Sequence, residues 1–195
     1  MMAVIQSTHS YILRDGELTL RPLTDEHLPL LYRWNGDPEV VYWSDDGNDE
    51  SFDEETVRAI YGHVSKNALH FLLEWQGRPV GDCWLQKMNL PEVIAAHPSG
   101  ADIRRIDAEI GEKDCWGMGI GTKMLSLMTA FAFETLQVDV LYNVCSDYNL
   151  RSRKMQERLG FHRVLEEPNE DGNRAAFEYH YRLTRGEYFQ QKEKR

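Results

Sequence analysis

Two acids and a glycine loop carry the chemistry that can be read directly from the chain. Asp107 and Glu109 stand two apart in Ile106-Asp107-Ala108-Glu109-Ile110. The alternation predicts a strand with both carboxylates on one face and the three apolar residues on the other. A few residues on comes Trp116-Gly117-Met118-Gly119-Ile120-Gly121-Thr122. Glycine at every second position lets backbone N–H groups crowd round an anion. The helix predicted to follow, with Ile120, Met124, Leu127, Met128 and Phe131 as its apolar stripe, turns its positive end onto the same spot. This is a phosphate or pyrophosphate cradle. It is not a Walker A loop, because no Lys-Ser or Lys-Thr pair follows the last glycine, and the dinucleotide fingerprint would place its third glycine one residue later. A tight strand-to-helix turn without a ligand is the plain alternative. Two carboxylates beside such a cradle suit group transfer to an amine. An alkylamine is mostly protonated at neutral pH, and a carboxylate whose pKa is raised by burial or by its neighbour can bind the ammonium and accept its proton. Solvated or salt-bridged strand-edge acids are the alternative for both.

The elements that must position these groups follow from periodicity. Glu17–Leu23 alternates, with Leu18 and Leu20 on one face, and Thr24 with Asp25 and Glu26 starts a helix whose stripe is Leu28, Leu31 and Tyr32, with Pro29 in its first turn. Asp37-Pro38 reads as a turn before Glu39–Trp43 and an acidic loop to Asp49. Ser51-Phe52-Asp53-Glu54 reads as a capping box ahead of a helix striped by Val57, Ile60, Tyr61 and Val64. Leu69–Trp75 and Pro79–Lys87 predict a hairpin, and Met88–Ile103 a long irregular link of the kind that walls a binding site. Arg105–Glu112 is the central strand feeding the glycine loop, whose helix runs to about Thr135. A strand at Val138–Ser146, a helix at Asn149–Leu159 capped by Gly160, and strands at Phe161–Leu165 and Ala175–Leu183 joined by an Asn169–Asn173 turn complete the pattern. Residues 1–16 show no period and read as a poorly ordered arm, and Arg185–Arg195 as a charged tail or a frayed helix. The whole, residues 1–195, is one α/β (α+β) domain.

Composition narrows the partners. With 195 residues and 42 % apolar side chains the chain can bury a proper core. No apolar run approaches the ~20 residues of a membrane span and no signal-peptide pattern stands at the N-terminus, so a cytoplasmic location is expected. Cys83, Cys115 and Cys145 lack metal-ligand spacing and read as free thiols in a reducing compartment, with no metal; a nucleophilic Cys145 is the rarer alternative. A formal charge of −10 repels nucleic acid and anionic membranes and attracts cations. Acids cluster in Ser44–Glu55 and Glu166–Asp171, outside the apolar patterns, as a cation-facing surface or as plain solubilising charge.

Taken with the glycine loop, Asn149-Leu150-Arg151-Ser152 and the Leu159-Gly160-Phe161 that ends the next helix resemble the acetyl-CoA-binding motifs of the GCN5-related N-acetyltransferase (GNAT) superfamily. The resemblance in order and spacing runs from about Glu17 to Leu183. It implies a mixed, mostly antiparallel sheet of about seven strands flanked by about four helices. It also implies acetyl-CoA as co-substrate, held by Trp116, Gly117, Met118, Gly119, Ile120, Gly121 and Thr122, with Asn149 and Ser152 along the pantetheine arm. A backbone N–H around Ile110 and Gly111 would polarise the thioester carbonyl. A homodimer is carried over on analogy alone. Many members carry a tyrosine, as the acid for the leaving thiolate, where this chain has Gln156; Tyr148, Ser146 or water remain as proton sources. Ser152 and the missing tyrosine resemble the branch that acetylates ribosomal protein N-termini. The Leu18-to-Thr24 segment, Leu31-Tyr32-Arg33-Trp34, Tyr42-Trp43, Gly81, Lys87-Met88 and Asp107 ten residues ahead of Gly117 are similar to the aminoglycoside 6′-N-acetyltransferases. That likeness gives Asp107 the substrate amine, Trp43 a sugar ring and Asp171 a further ammonium; a core aromatic and a turn former are the alternatives for the last two. The expected acceptor is a primary amine of a small polycation such as an aminoglycoside. A protein N-terminus or a polyamine is the second reading, and a non-catalytic acyl-CoA-binding module the third.

Overall fold

Eight strands form one sheet in the computed structural model, which describes residues 5, 7–45, 50–169 and 174–194. They are β1 (Leu13–Asp15), β2 (Leu18–Pro22), β3 (Ala68–Trp75), β4 (Arg78–Lys87), β5 (Ile103–Glu109), β6 (Val140–Ser146), β7 (His162–Pro168) and β8 (Phe177–Thr184). Their order is β1-β2-β3-β4-β5-β6-β8-β7, and only the β5–β6 pair is parallel. The mixed, mostly antiparallel sheet is the one expected, with eight strands where seven were predicted. The extra strand lies in the supposed N-terminal arm, where Leu13 pairs with Leu20 and Ile5 is buried. Three residues are too short a run to show a period.

Among the described residues there are seven helices, against four expected: α1 (Leu28–Asn35), α2 (Pro38–Ser44), α3 (Glu54–Asn67), α4 (Pro91–Ala95), α5 (Ile120–Ala130), α6 (Leu150–Arg158) and α7 (Arg185–Glu193). The Asp37-Pro38 turn is in fact a helix start. Asp37 Oδ1 accepts the Glu39 N–H at 3.0 Å, and Pro38 sits in the first turn, where its missing N–H costs nothing. The predicted Ser51 capping box is likewise corrected: Asp53 caps α3, its Oδ1 accepting the Thr56 N–H at 2.7 Å. The long link carries α4, and the charged tail is α7, opened by a capping box of Thr184 and Glu187.

Strand alternation sends side chains to two cores. Leu18, Leu20, Phe71, Leu73 and Ile106 meet Met124 and Met128 of α5 on one face, while Leu72 meets Leu31 and Trp34 of α1 and Val57 and Tyr61 of α3 on the other. Ile60, predicted in the α3 stripe, is 37 % exposed because it looks into a cavity instead.

The feature that matters for function is a gap in the sheet. The β5–β6 ladder ends at Arg105 opposite Tyr142. Yet β5 stays paired with β4 as far as Glu109, and β6 with β8 as far as Ser146. Beyond Arg105 the two central strands therefore part, each held by its outer neighbour. Gly111 fixes the end of β5 against α1, since a Cβ there would fall inside the buried Trp34 indole. Gly111→Ala should cost about 1–3 kcal/mol by overpacking, read as a lower melting temperature; an unchanged melt would contradict the packing described.

Candidate active site

The glycine loop has the backbone its spacing requires. Gly117 and Gly119 take φ of +77° and +81°, and Gly119 is the N-cap of α5. A Cβ on either would meet no atom within 4 Å. Glycine is thus demanded by conformation and not by crowding, and the space above the loop is open. The N–H groups of the first α5 turn, unpaired by helix geometry, point into that space. Trp116 ties the loop to the end of β5, its Nε1–H donating to the Ile110 carbonyl at 2.6 Å.

The loop opens on a cavity of about 810 Å³. Its lining includes Ile106, Ala108 and Ile110 of the parted β5 edge, Asn143 and Ser146 of the β6 edge, and Trp116, Gly117, Gly119, Ile120, Gly121 and Thr122 of the cradle. Met118 is 55 % exposed beside them. From α6, Arg151, Lys154 and Arg158 bring three cationic side chains to the wall. Two buried amide atoms in this wall, Asn143 Nδ2 and Gln156 Oε1, have no hydrogen-bond partner among the described residues. An open strand edge, two orphaned amide atoms, a cradle of N–H groups and three cations fit a peptide-like arm ending in phosphates, which is the chemistry of coenzyme A. Asn149 is more committed than expected. Its Oδ1 accepts the Ser152 N–H at 3.1 Å and its Nδ2 donates to the Trp43 carbonyl at 3.2 Å, while Ser152 Oγ accepts from Gln156 Nε2 at 3.1 Å.

Acids from β5 and the β7–β8 hairpin line the same cavity. Asp107 and Glu109 share a face of β5 as the alternation predicts, with Ala108 exposed between them. Burial raises the Asp107 pKa, opposed by Arg105, whose Nε lies 2.9 Å from its carboxylate, and by Gln86 Nε2 at 3.2 Å. Glu109 is pushed well above the ordinary range by burial and by the charge of Asp82. Glu167 and Glu178 also line the cavity; they face each other across the β7–β8 ladder, with His180 Nε2 2.9 Å from Glu167. Among the described residues these three form the one group whose donor atoms lie close enough, within 4.8 Å, to hold a cation together.

Trp43 reaches the cavity from α2. It packs against Tyr148 at 5.6 Å, carries the Arg151 guanidinium 5.6 Å from its ring centre, and is half-buried, so it is no core aromatic. The Tyr148 hydroxyl donates to the Tyr42 carbonyl. Asp171, the remaining substrate residue predicted, lies outside the described residues. Cys145 is buried at the edge of the core and lines the cavity.

Sequence reasoning missed a buried polar cluster behind Glu109. His70 Nε2 lies 2.8 Å from Asp82 Oδ2, the Tyr61 hydroxyl 3.5 Å from Asp82 Oδ1, and Asn35 Nδ2 3.1 Å from that hydroxyl and 3.3 Å from Glu109 Oε1. The available signal was a charged residue inside the apolar strand Val80–Leu85. Burial pushes Asp82 up to about 8 and His70 down to about 3. The two act oppositely on stability. A neutral buried histidine makes stability rise with pH until the unfolded ring deprotonates near 6.5, whereas an acid that keeps its proton longer folded than unfolded makes it fall up to the folded value. From pH 6.5 to about 8 only the acids remain, so stability should fall with rising pH. Asp82→Asn should flatten that slope in thermal melts, and an equal slope in both proteins would contradict it.

An open central strand pair beside a glycine cradle defines an acyl-CoA-type transferase architecture, and the comparisons agree with it. The Acetyltransferase (GNAT) domain profile matches residues 17–162, and the chain belongs to this family of acetyltransferases. It is 24 % identical over 186 residues to the aminoglycoside N(6′)-acetyltransferase type 1 of Klebsiella pneumoniae, covering 84 % of this chain and 87 % of that protein. Among solved structures it superposes on a GNAT-family acetyltransferase from Bacillus anthracis with a TM-score of 0.73 and 16 % identity, over 90 % of this chain and 99 % of the other. The aminoglycoside acetyltransferase AAC(6′)-Ib in complex with coenzyme A and kanamycin gives a TM-score of 0.70 at 20 % identity, again over 90 % and 99 %. No helix among the described residues is long and apolar enough to cross a membrane.

Proposed function

We propose that the protein acetylates a primary amine of a small polycation of the aminoglycoside type, the amine attacking acetyl-CoA directly. The observation that carries this reading is the division of one cavity by charge. Arg151, Lys154 and Arg158 come from α6, which packs on the cradle helix α5, while the acids Asp107 and Glu109 come from β5 beside Arg105, Glu167 and Glu178 from the β7–β8 hairpin, and Asp45 from the end of α2. When bound, acetyl-CoA supplies an activated acyl carbonyl. The chain's own residues do the rest. The cradle from Gly117 to Thr122 and the α6 cations hold phosphates, and a backbone N–H at Ile110 or Gly111 polarises the carbonyl, a donor of a kind worth about 3 kcal/mol of barrier. Asp107 anchors the reacting ammonium, Glu109 takes its proton, and Trp43 offers a flat face to a sugar ring. Glu167 and Glu178 give a second ammonium a place that Asp171 was expected to provide. The named activity of the similar Klebsiella protein and the kanamycin complex of AAC(6′)-Ib support the choice of acceptor. Free buried thiols suit a reducing cytoplasm.

The test is product analysis. Incubation with kanamycin and acetyl-CoA should add one acetyl group by mass, placed on the 6′ nitrogen by NMR. A second reading, acetylation of a peptide N-terminus, is favoured by Gln156 standing where many members carry a tyrosine, together with Ser152, which bonds it. Acetylation of a basic peptide with no aminosugar product would establish that reading and remove the first.

A further inference from the structure

Behind Glu109 the sheet holds a carboxylate that neither end of the cavity uses. Asp82 of β4 pairs directly with Glu109 of β5 across the ladder, and both are buried, Asp82 completely. Like charges directly opposite on neighbouring strands destabilise a sheet, and more so away from water. The chain answers with donors. His70 Nε2 and the Tyr61 hydroxyl both address Asp82, while Asn35 bridges Tyr61 to Glu109. The His70 ring stacks on Tyr61 at 5.4 Å, and Trp84 closes edge-on against both. With Nε2 donating, Nδ1 is a bare lone pair, which fits its lack of a partner. Two donors favour the charged form of Asp82, so it is the first of the pair to ionise.

We propose that Asp82, held by His70 and Tyr61, is a positioning residue whose buried charge, facing Glu109 across the ladder, makes Glu109 the group that takes the proton from the bound ammonium. The inference rests on the amine-acetylating reading above. An ordinary glutamate and an alkylammonium differ by about six pH units in proton affinity, so transfer between them is about a million-fold uphill. A second carboxylate charge next to Glu109 narrows that gap, and the two acids then titrate as a unit. In the step one N–H bond breaks and one O–H bond forms on Glu109, leaving the lone pair on nitrogen.

The surroundings do not cancel the charge. On β5, Arg105 is engaged with Asp107. Ser44 and Asp45 face the cavity from the end of α2, adding a hydroxyl and an acid. From α3 comes only Tyr61, its own ionisation suppressed by burial. From β3 and the N-terminal segment come His70 and His9, whose Nε2 lies 3.0 Å from the His70 carbonyl; burial lowers both pKa values and keeps the rings neutral. Cys83, next to Asp82 on β4, is held as the neutral thiol.

The experiment titrates Glu109 by carbon-13 NMR of labelled glutamate carboxyl groups in the ligand-free protein, with Glu109→Gln assigning the resonance. Its midpoint should fall by at least one pH unit in Asp82→Asn, and in the same direction in His70→Phe and Tyr61→Phe, which lose the donors that charge Asp82. The acid limb of kcat/KM for the acceptor should move to lower pH with it, and kcat on the alkaline plateau, where both carboxyls of the wild type are ionised, should drop at least tenfold. An unchanged midpoint in folded Asp82→Asn overturns the proposal, and so does a moved midpoint without a moved acid limb. Should Asp82→Asn fail to melt cooperatively, the other two variants decide on the same criteria. Absence of turnover on any amine would sink the acceptor reading, while the NMR midpoint still decides whether Asp82 sets Glu109.

Discussion

Asp107→Asn is expected to lower kcat/KM for the acceptor about 10²–10³-fold while leaving the fold and acetyl-CoA affinity intact. The amide keeps the shape of the carboxylate and can still accept from Gln86 Nε2 or Arg105 Nε, the two partners it has now. Arg105 keeps 22 % of its side chain in solvent, so the loss of its ion pair does not strand a buried cation. What disappears is the charge that draws an ammonium into a site where burial has already made a carboxylate costly. An anchor lost at the reacting nitrogen should raise KM for the acceptor and lower kcat together. The measurement is a steady-state comparison on one aminosugar, with acetyl-CoA binding and melting temperature as controls. Wild-type kinetics in the variant would remove Asp107 from its assigned role.

Gly119→Val is expected to weaken acetyl-CoA binding at least 100-fold. At φ +81° an L side chain is strained, and a β-branched one most of all. The variant can relieve the strain only by rotating the peptide units that aim the first N–H groups of α5 at the phosphates. Strain alone is separable from loss of the site. Gly100, just before the start of β5 and so at the opposite end of that strand from the cradle, has φ +87° and equally open surroundings, so Gly100→Val pays a similar conformational cost away from the cradle. Calorimetric titration with acetyl-CoA should find Gly100→Val near wild type and Gly119→Val without measurable binding. Equal affinities would move the phosphate site elsewhere.

The turn of the glycine loop was legible because glycines at alternate positions permit positive φ, and the backbone angles at Gly117 and Gly119 bear that out. The shared face of Asp107 and Glu109 was legible because a strand has period two. What stayed hidden depends on register between distant segments. Asp82, His70, Tyr61 and Asn35 come from four different elements and meet only through ladder pairing and the α1–α3 packing. Each alone is an ordinary polar residue near an apolar run. Glu167 was visible only as part of the Glu166–Asp171 acidic cluster and Glu178 was hidden, since their pairing follows from a hairpin whose register no local pattern specifies. Helix α2 was misread because an Asp-Pro pair opens both turns and helices, and β1 because three residues carry no periodicity.

The measurement that tests the account most directly is release of coenzyme A thiol from acetyl-CoA with kanamycin as acceptor, run beside spermidine and a basic peptide. The charge-divided cavity predicts robust release with the aminosugar, little with the peptide, and loss of the signal in Asp107→Asn. Release with the peptide alone, or with none of the three despite normal acetyl-CoA binding, would contradict it.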